Sequence, residues 1–168
     1  VKLQKSRFKK ISEDLFTYIS DWYHIAILEL IALPAAPFQT SQIADRLQIS
    51  EAQAQAALER MQRLGLIQAE NSRWILLNPD AETFDDIPSK AIRHYHEQIL
   101  AKSQAAIQMD VTERELQSLI FSCPKEKLPE LRRRIRDFCA DFNADKSLAP
   151  NQVYALNIQL FPLSQEPQ

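Results

Sequence analysis

Glycine is almost missing from this sequence: Gly65 is the single one in 168 residues, against 9 prolines. Phosphate cradles, dinucleotide turns and nucleophile elbows need backbone that approaches a ligand closely or takes positive φ, so they are written with glycines at fixed offsets. A P-loop, a GxGxxG fold and a GxSxG hydrolase are therefore disfavoured. The shortage also argues for helix over a turn-rich β-sandwich, because tight hairpins want Asn-Gly or Asp-Gly. Cysteine is scarce too. Cys123 and Cys139 show no CxxC spacing or histidine partner and are too few for a disulfide scaffold, which fits a reduced cytoplasmic setting. Each lies in an apolar pattern where cysteine acts as a small buried hydrophobe. No apolar run approaches the roughly 20 residues that span a bilayer, so no membrane partner is expected. Neither charge sign dominates: 20 basic against 22 acidic side chains give a net charge of −2, so a nucleic-acid contact has to be local.

What remains is an ordinary globular composition, 45% hydrophobic and 25% charged, enough for one domain or two small ones. The chain opens on Val1 rather than Met, and an upstream part is expected to be missing. Lys2, Lys5, Arg7, Lys9 and Lys10 form a basic arm with no acid before Glu13, read either as a groove or phosphate contact or as a solvated terminus. Phe8, Ile11, Leu15, Ile19 and Trp22 then follow at helical spacing, while Leu15, Thr17 and Ile19 also alternate as a short strand would. Pattern leaves both open. A second, buried helix follows, with Asp21 as its cap, Ile25 and Leu28 with the flanking Ala26, Ile27, Leu30 and Ile31 making it apolar on most sides, and Pro34 to Pro37 as its stop.

From Thr40 the chain reads Ser41-Gln-Ile-Ala-Asp-Arg-Leu47, a short helix capped by Thr40 or Ser41, then a tight connection at Gln48-Ile49. Ser50 caps the next helix, Glu51 to Leu64, which Gly65 ends at the position where a left-handed residue is wanted. Leu66-Ile67 and Trp74 to Leu77, separated by Glu70-Asn71-Ser72, predict a small β-hairpin. This order resembles the winged helix-turn-helix domains of bacterial transcription regulators, on the strength of Ser41 to Ser50 followed by Leu58-x-x-Met61-x-x-Leu64-Gly65-Leu66-Ile67. Ile19 to Leu30, Arg63-Leu-Gly-Leu66 and Val153 to Leu163 are further similar to a family of uncharacterised bacterial proteins abundant in predatory bacteria. Their C-terminal half is a domain of unknown function. The resemblance implies a regulator and carries no residue roles.

The acidic, proline-flanked stretch 79–88 reads as a linker, dividing an N-terminal domain, residues 1–78, from a C-terminal one, residues 89–168. Ile92, Tyr95, Ile99, Ala106 and Met109 mark a long connector or dimer helix. Residues 115–122 have strand character. Pro124 opens a helix whose Leu128, Leu131, Ile135, Phe138 and Phe142 form one apolar stripe, and Val153 to Leu163 alternates as a last strand. Two strands are too few for a stable sheet, so residues 89–168 are expected to dimerise, the strands joining a larger sheet or the long helices pairing. A parallel βαβ crossover is also open. The expected class is mainly α with small β elements (α+β): a winged helix-turn-helix followed by helix, strand, helix, strand.

Helical geometry turns Ala54, Ala57, Leu58, Met61 and Leu64 inward and leaves Ala52, Gln53, Gln55, Ala56, Glu59, Arg60 and Arg63 outward. With Ser50 and with Arg73 of the hairpin, these are the candidate contacts to double-stranded DNA. Gln53 and Gln55 suit adenine edges, Arg60 and Arg63 guanine or phosphate, and Ala52 and Ala56 permit approach to a thymine methyl. Against this, residues 38–77 carry four basic and four acidic side chains, without the basic surplus that phosphate attraction wants. Glu59 and Arg63 are also spaced to pair with each other. The arginines and lysines of residues 125–136 are interleaved with acids and read as a solvated face. His94 and His96 point apart on one helix, so they do not share an ion. No catalytic, metal or cofactor-binding constellation is present, and no effector is readable. The expected function is a cytoplasmic homodimeric DNA-binding regulator, not an enzyme. The alternative is a winged-helix protein-interaction module, and a ligand-sensing C-terminal half is a third idea.

Overall fold

Helix signals and stop signals in residues 39–66 agree closely with the backbone they adopt. In a computed structural model describing residues 13–34, 39–71, 73–77, 89–144 and 149–165, the first element is α1, helical over residues 13–20. This settles the open choice between helix and strand there. The basic arm lies outside the described residues. α2 (Tyr23–Ala32) buries His24, Ile27, Leu30 and Ile31. The carboxylate of Asp21 does not cap it, because it accepts a hydrogen bond from the Tyr23 hydroxyl at 2.9 Å.

α3 (Thr40–Leu47) starts one residue earlier than expected. Gln39 is the cap, with its N–H donating to Gln42 Oε1 at 3.0 Å, while the Thr40 hydroxyl donates to Gln55 Oε1 at 3.1 Å. The turn out of α3 places Gln48 at φ 53°. Ser50 then caps α4 (Glu51–Arg63) in a reciprocal box: its Oγ accepts from Gln53 N–H at 3.1 Å and Gln53 Oε1 accepts from Ser50 N–H at 2.9 Å. α4 ends as Gly65 predicts. Gly65 sits at φ +72°, its N–H reaching Gln62 O and the next N–H, of Leu66, reaching Met61 O, both at 3.0 Å.

Two short strands, β1 (Ile67–Glu70) and β2 (Arg73–Leu76), pair antiparallel with Ile67 opposite Leu76 and Glu70 opposite Arg73. They are the only strands among the described residues. The core joins Ile27, Ile43, Leu58, Met61 and Ile67, all essentially inaccessible, to the half-buried Tyr18, Trp74 and Val153. Truncating Leu58 to alanine there costs about 2–5 kcal/mol by the usual cavity penalty.

α5 (Ser89–Ala106) is tied to the first helices, and its residues 89–104 fall in the first unit. The expected linker 79–88 lies outside the described residues. Gln98 Nε2 donates to Ser20 O at 3.1 Å and its Oε1 accepts from Trp22 N–H at 3.4 Å. The Lys102 ammonium sits 3.5 Å above the Trp22 ring, and Ala91 and Ile99 are buried. The chain divides into unit 1, residues 1–104 with Pro150–Val153, and unit 2, residues 105–149 with 154–168.

Unit 2 holds a 3-10 turn (Lys125–Lys127) and α6 (Leu128–Ala144). The segments 115–122 and 153–163, expected as strands, carry no ladder among the described residues. Cys123 and Cys139 are both exposed rather than buried. No described residue of unit 2 is buried, so an apolar pattern there has no interior to enter.

Candidate nucleic-acid interface

The spacing that turns Ala54, Ala57, Leu58 and Met61 into the core, all at 0% exposure, leaves the opposite side of α4 open. Ala52, Gln53, Gln55, Ala56 and Glu59 are exposed, as helical geometry requires. Their polar atoms are organised by neighbours. Ser50 and Gln53 serve each other in the cap, with the Ser50 hydroxyl also donating to Gln53 Oε1 at 3.0 Å. Gln55 Nε2 donates to Glu59 Oε1 at 2.8 Å, and with the Thr40 bond it ties the start of α3 to the middle of α4. Arg73 is exposed at the start of β2. Arg46 Nη2 donates to Asn151 O at 3.0 Å.

Arg60 and Arg63 correct the sequence expectation. Both guanidinium groups turn to Asp14 of α1, which is 7% exposed. Arg63 grips the carboxylate through two bonds of 2.8 Å, Nε to Oδ2 and Nη2 to Oδ1, and its own pKa is raised chiefly by that bond. Arg60 Nε lies 3.5 Å from Asp14 Oδ1, at ion-pair distance, without a hydrogen-bond partner. One carboxylate with four lone pairs collects both cations. Glu59 therefore bonds Gln55 while Arg63 bonds Asp14.

The same network holds His24, which is inaccessible to solvent. Its Nδ1 lies 3.1 Å from Asp21 O and its Nε2 lies 3.0 Å from Arg60 Nη1. A carbonyl needs a donor and a guanidinium needs an acceptor, so the ring is neutral with its proton on Nδ1. Burial pushes its pKa from 6.5 down to about 4, and the Arg60 charge adds to the fall. The Tyr23 ring stacks on it at 4.8 Å between centroids. Burial, with the Asp21 bond second, raises the Tyr23 hydroxyl to about 12.

Sequence spacing misses this buried polar cluster. The available signal is an acid, Asp14, one helical turn before Tyr18, whose ring packs on the core.

His94 lies 3.8 Å from both Asp21 and Glu97 carboxylates, and the described residues contain no group of three or more His, Cys, Asp or Glu able to hold an ion. A cavity of about 200 Å³ is lined by Leu30, Arg46, Leu47, Gln152 and Val153. Ligand sites usually run from about 300 to 1,000 Å³. No helix among the described residues is long and apolar enough to cross a membrane.

A family defined as a domain of unknown function (DUF4423) matches residues 2–163. No curated protein and no solved structure matches the chain.

Proposed function

Since the chain belongs to the DUF4423 family, whose definition carries no chemistry, we propose from its own geometry that it is a homodimeric DNA-binding transcriptional regulator. In this reading residues 39–77 act as a winged helix-turn-helix, and the setting is cytoplasmic. The observation that supports it most is the open outer face of α4, backed by α3 and followed by a hairpin on which Arg73 is exposed. Inserted in a major groove, α4 brings Ala52 and Ala56 close to the base edges, where a methyl side chain meets a thymine methyl. Gln53 and Gln55 supply amides for adenine. Arg73 reaches a phosphate from the hairpin. Arg60 and Arg63 hold α4 against α1 and take no part in readout, and no catalytic step is assigned.

A second reading, contact with a protein partner through the same face, is favoured by the capture of Arg60 and Arg63 on Asp14, which leaves Glu59 as the charge nearest the centre. Salt-titrated binding of the full chain to genomic DNA fragments, including its own promoter region, separates the two. Specific binding whose log K falls with log salt is expected. Ala56→Glu, a change on an exposed position, should weaken it at least about tenfold, in line with the 1–3 kcal/mol of a base-edge contact. Absence of binding at low salt selects the protein partner.

A further inference from the structure

Among its described residues, unit 2 leaves most of its large apolar side chains open to water. Leu119 and Ile120 are 80% and 82% exposed, Tyr154 79%, Phe142 64% and Phe138 51%. Leu119 and Ile120 are consecutive and both lie open to water. Neither 115–122 nor 154–161 forms a β-ladder among the described residues. α6 turns only Leu128, Leu131 and Ile135 partly inward and leaves Phe138 and Phe142, with ring centroids 5.9 Å apart, in the open.

We propose that unit 2 is completed by a second copy of this chain, the strand-patterned segments 115–122 and 154–161 of both copies pairing into one sheet that the two α6 stripes cover. Three observations favour a second copy as the occupant. Fifteen large apolar side chains of unit 2 are at least 36% exposed, more than a monomer ordinarily leaves bare and of the kind that an obligate dimer interface covers. Residues 116–124 and 149–165 contain no charged side chain, so, Glu115 at the start of the first segment aside, pairing a segment with its own copy sets no like charges opposite one another. The same neutrality leaves no charge pattern by which a different partner is selected. Such edges are also unprotected against pairing, and a two-fold interface satisfies both copies at once.

The inference supplies an interface to the homodimer proposed above and is tested without DNA. Light scattering on the full chain during gel filtration should give twice the 19.4 kDa chain mass. A chain of single mass across 1–100 µM (about the range over which an obligate dimer stays assembled) overturns the proposal and passes the surface to a different protein. Ile120→Glu combined with Phe138→Glu should halve the mass. Trp22 and Trp74, both in unit 1, should keep their emission, showing that unit 1 remains folded. A variant that stays dimeric overturns the assignment. Hydrogen exchange on the unaltered chain gives an independent reading. The amides of 116–122 should be protected, and exchange at the open-chain rate overturns the ladder.

Discussion

At the scale of single residues, Asp14 is the most consequential side chain outside the apolar core. Its carboxylate is 10% exposed and opposes Arg60 at 18% and Arg63 at 39%. Removing the acid strands a largely buried cation, so Asp14→Ala should cost about 3 kcal/mol. Arg63→Ala, at a more exposed position, should cost about 1–2 kcal/mol. Urea midpoints of the two single variants and the double variant check this, and the double should lose less than the two singles together. Neither change should alter the DNA affinity of the molecules that remain folded, in contrast to Ala56→Glu. His24 adds a pH dependence. Its folded pKa of about 4 lies below its ordinary 6.5, so between these values the unfolded chain takes up a proton that the folded one refuses. Stability is therefore full above pH 6.5 and falls as pH drops toward 4, by up to roughly 3 kcal/mol over the window. Urea melts at pH 7 and 4.5 should show the loss, and His24→Gln should remove its share of the slope.

At the scale of elements, Gly65 is the clearest test of how local the helix stops are. No atom lies within 4 Å of a Cβ added there, so only the φ of +72° opposes a side chain. Gly65→Ala should cost about 1 kcal/mol, read from the urea midpoint, with the fold unchanged. The α3, α4 and hairpin pattern is legible in sequence because its signals are local: the Ser50 cap, its partner Gln53 three residues on, the glycine stop and the alternation around Asn71. Asp14 and the two arginines are not legible in this way. Arg63 faces outward by periodicity from Leu58 and Met61, and only the approach of α1, 49 residues away, turns that side of α4 into an interior. The packing of α5 is illegible for the same reason. Its ties run from Gln98 back to Ser20 and Trp22, and a proline-flanked linker says nothing about where the next helix packs. Residues 115–122 and 153–163 carry a strand pattern but no ladder, because alternation describes a strand's faces and is silent on whether a neighbour exists to pair with it.

At the scale of the whole molecule, the two units differ in what holds them. Unit 1 encloses its own core around Ile27, Ile43, Leu58 and Met61, and its stability should not depend on concentration. Unit 2 has α6 as its main regular element, 17 residues long with no buried side chain in its described part. A lone helix of that length is marginal in water, because most helix stability comes from packing one face. With the partner copy as its cover, unit 2 should unfold at a denaturant midpoint that rises with protein concentration. Each tenfold increase adds about 1.4 kcal/mol per dimer by mass action. The comparison is between Trp22 and Trp74 emission, which follows unit 1, and far-ultraviolet circular dichroism, which also sees α6. Across a hundredfold dilution the emission midpoint should stay fixed. The α6 share of the dichroism should shift to lower denaturant and, at the lowest concentrations, be lost before unfolding of unit 1 begins. A single transition, unmoved by dilution and seen equally by both signals, would mean that α6 and the two strand-patterned segments are held within one chain.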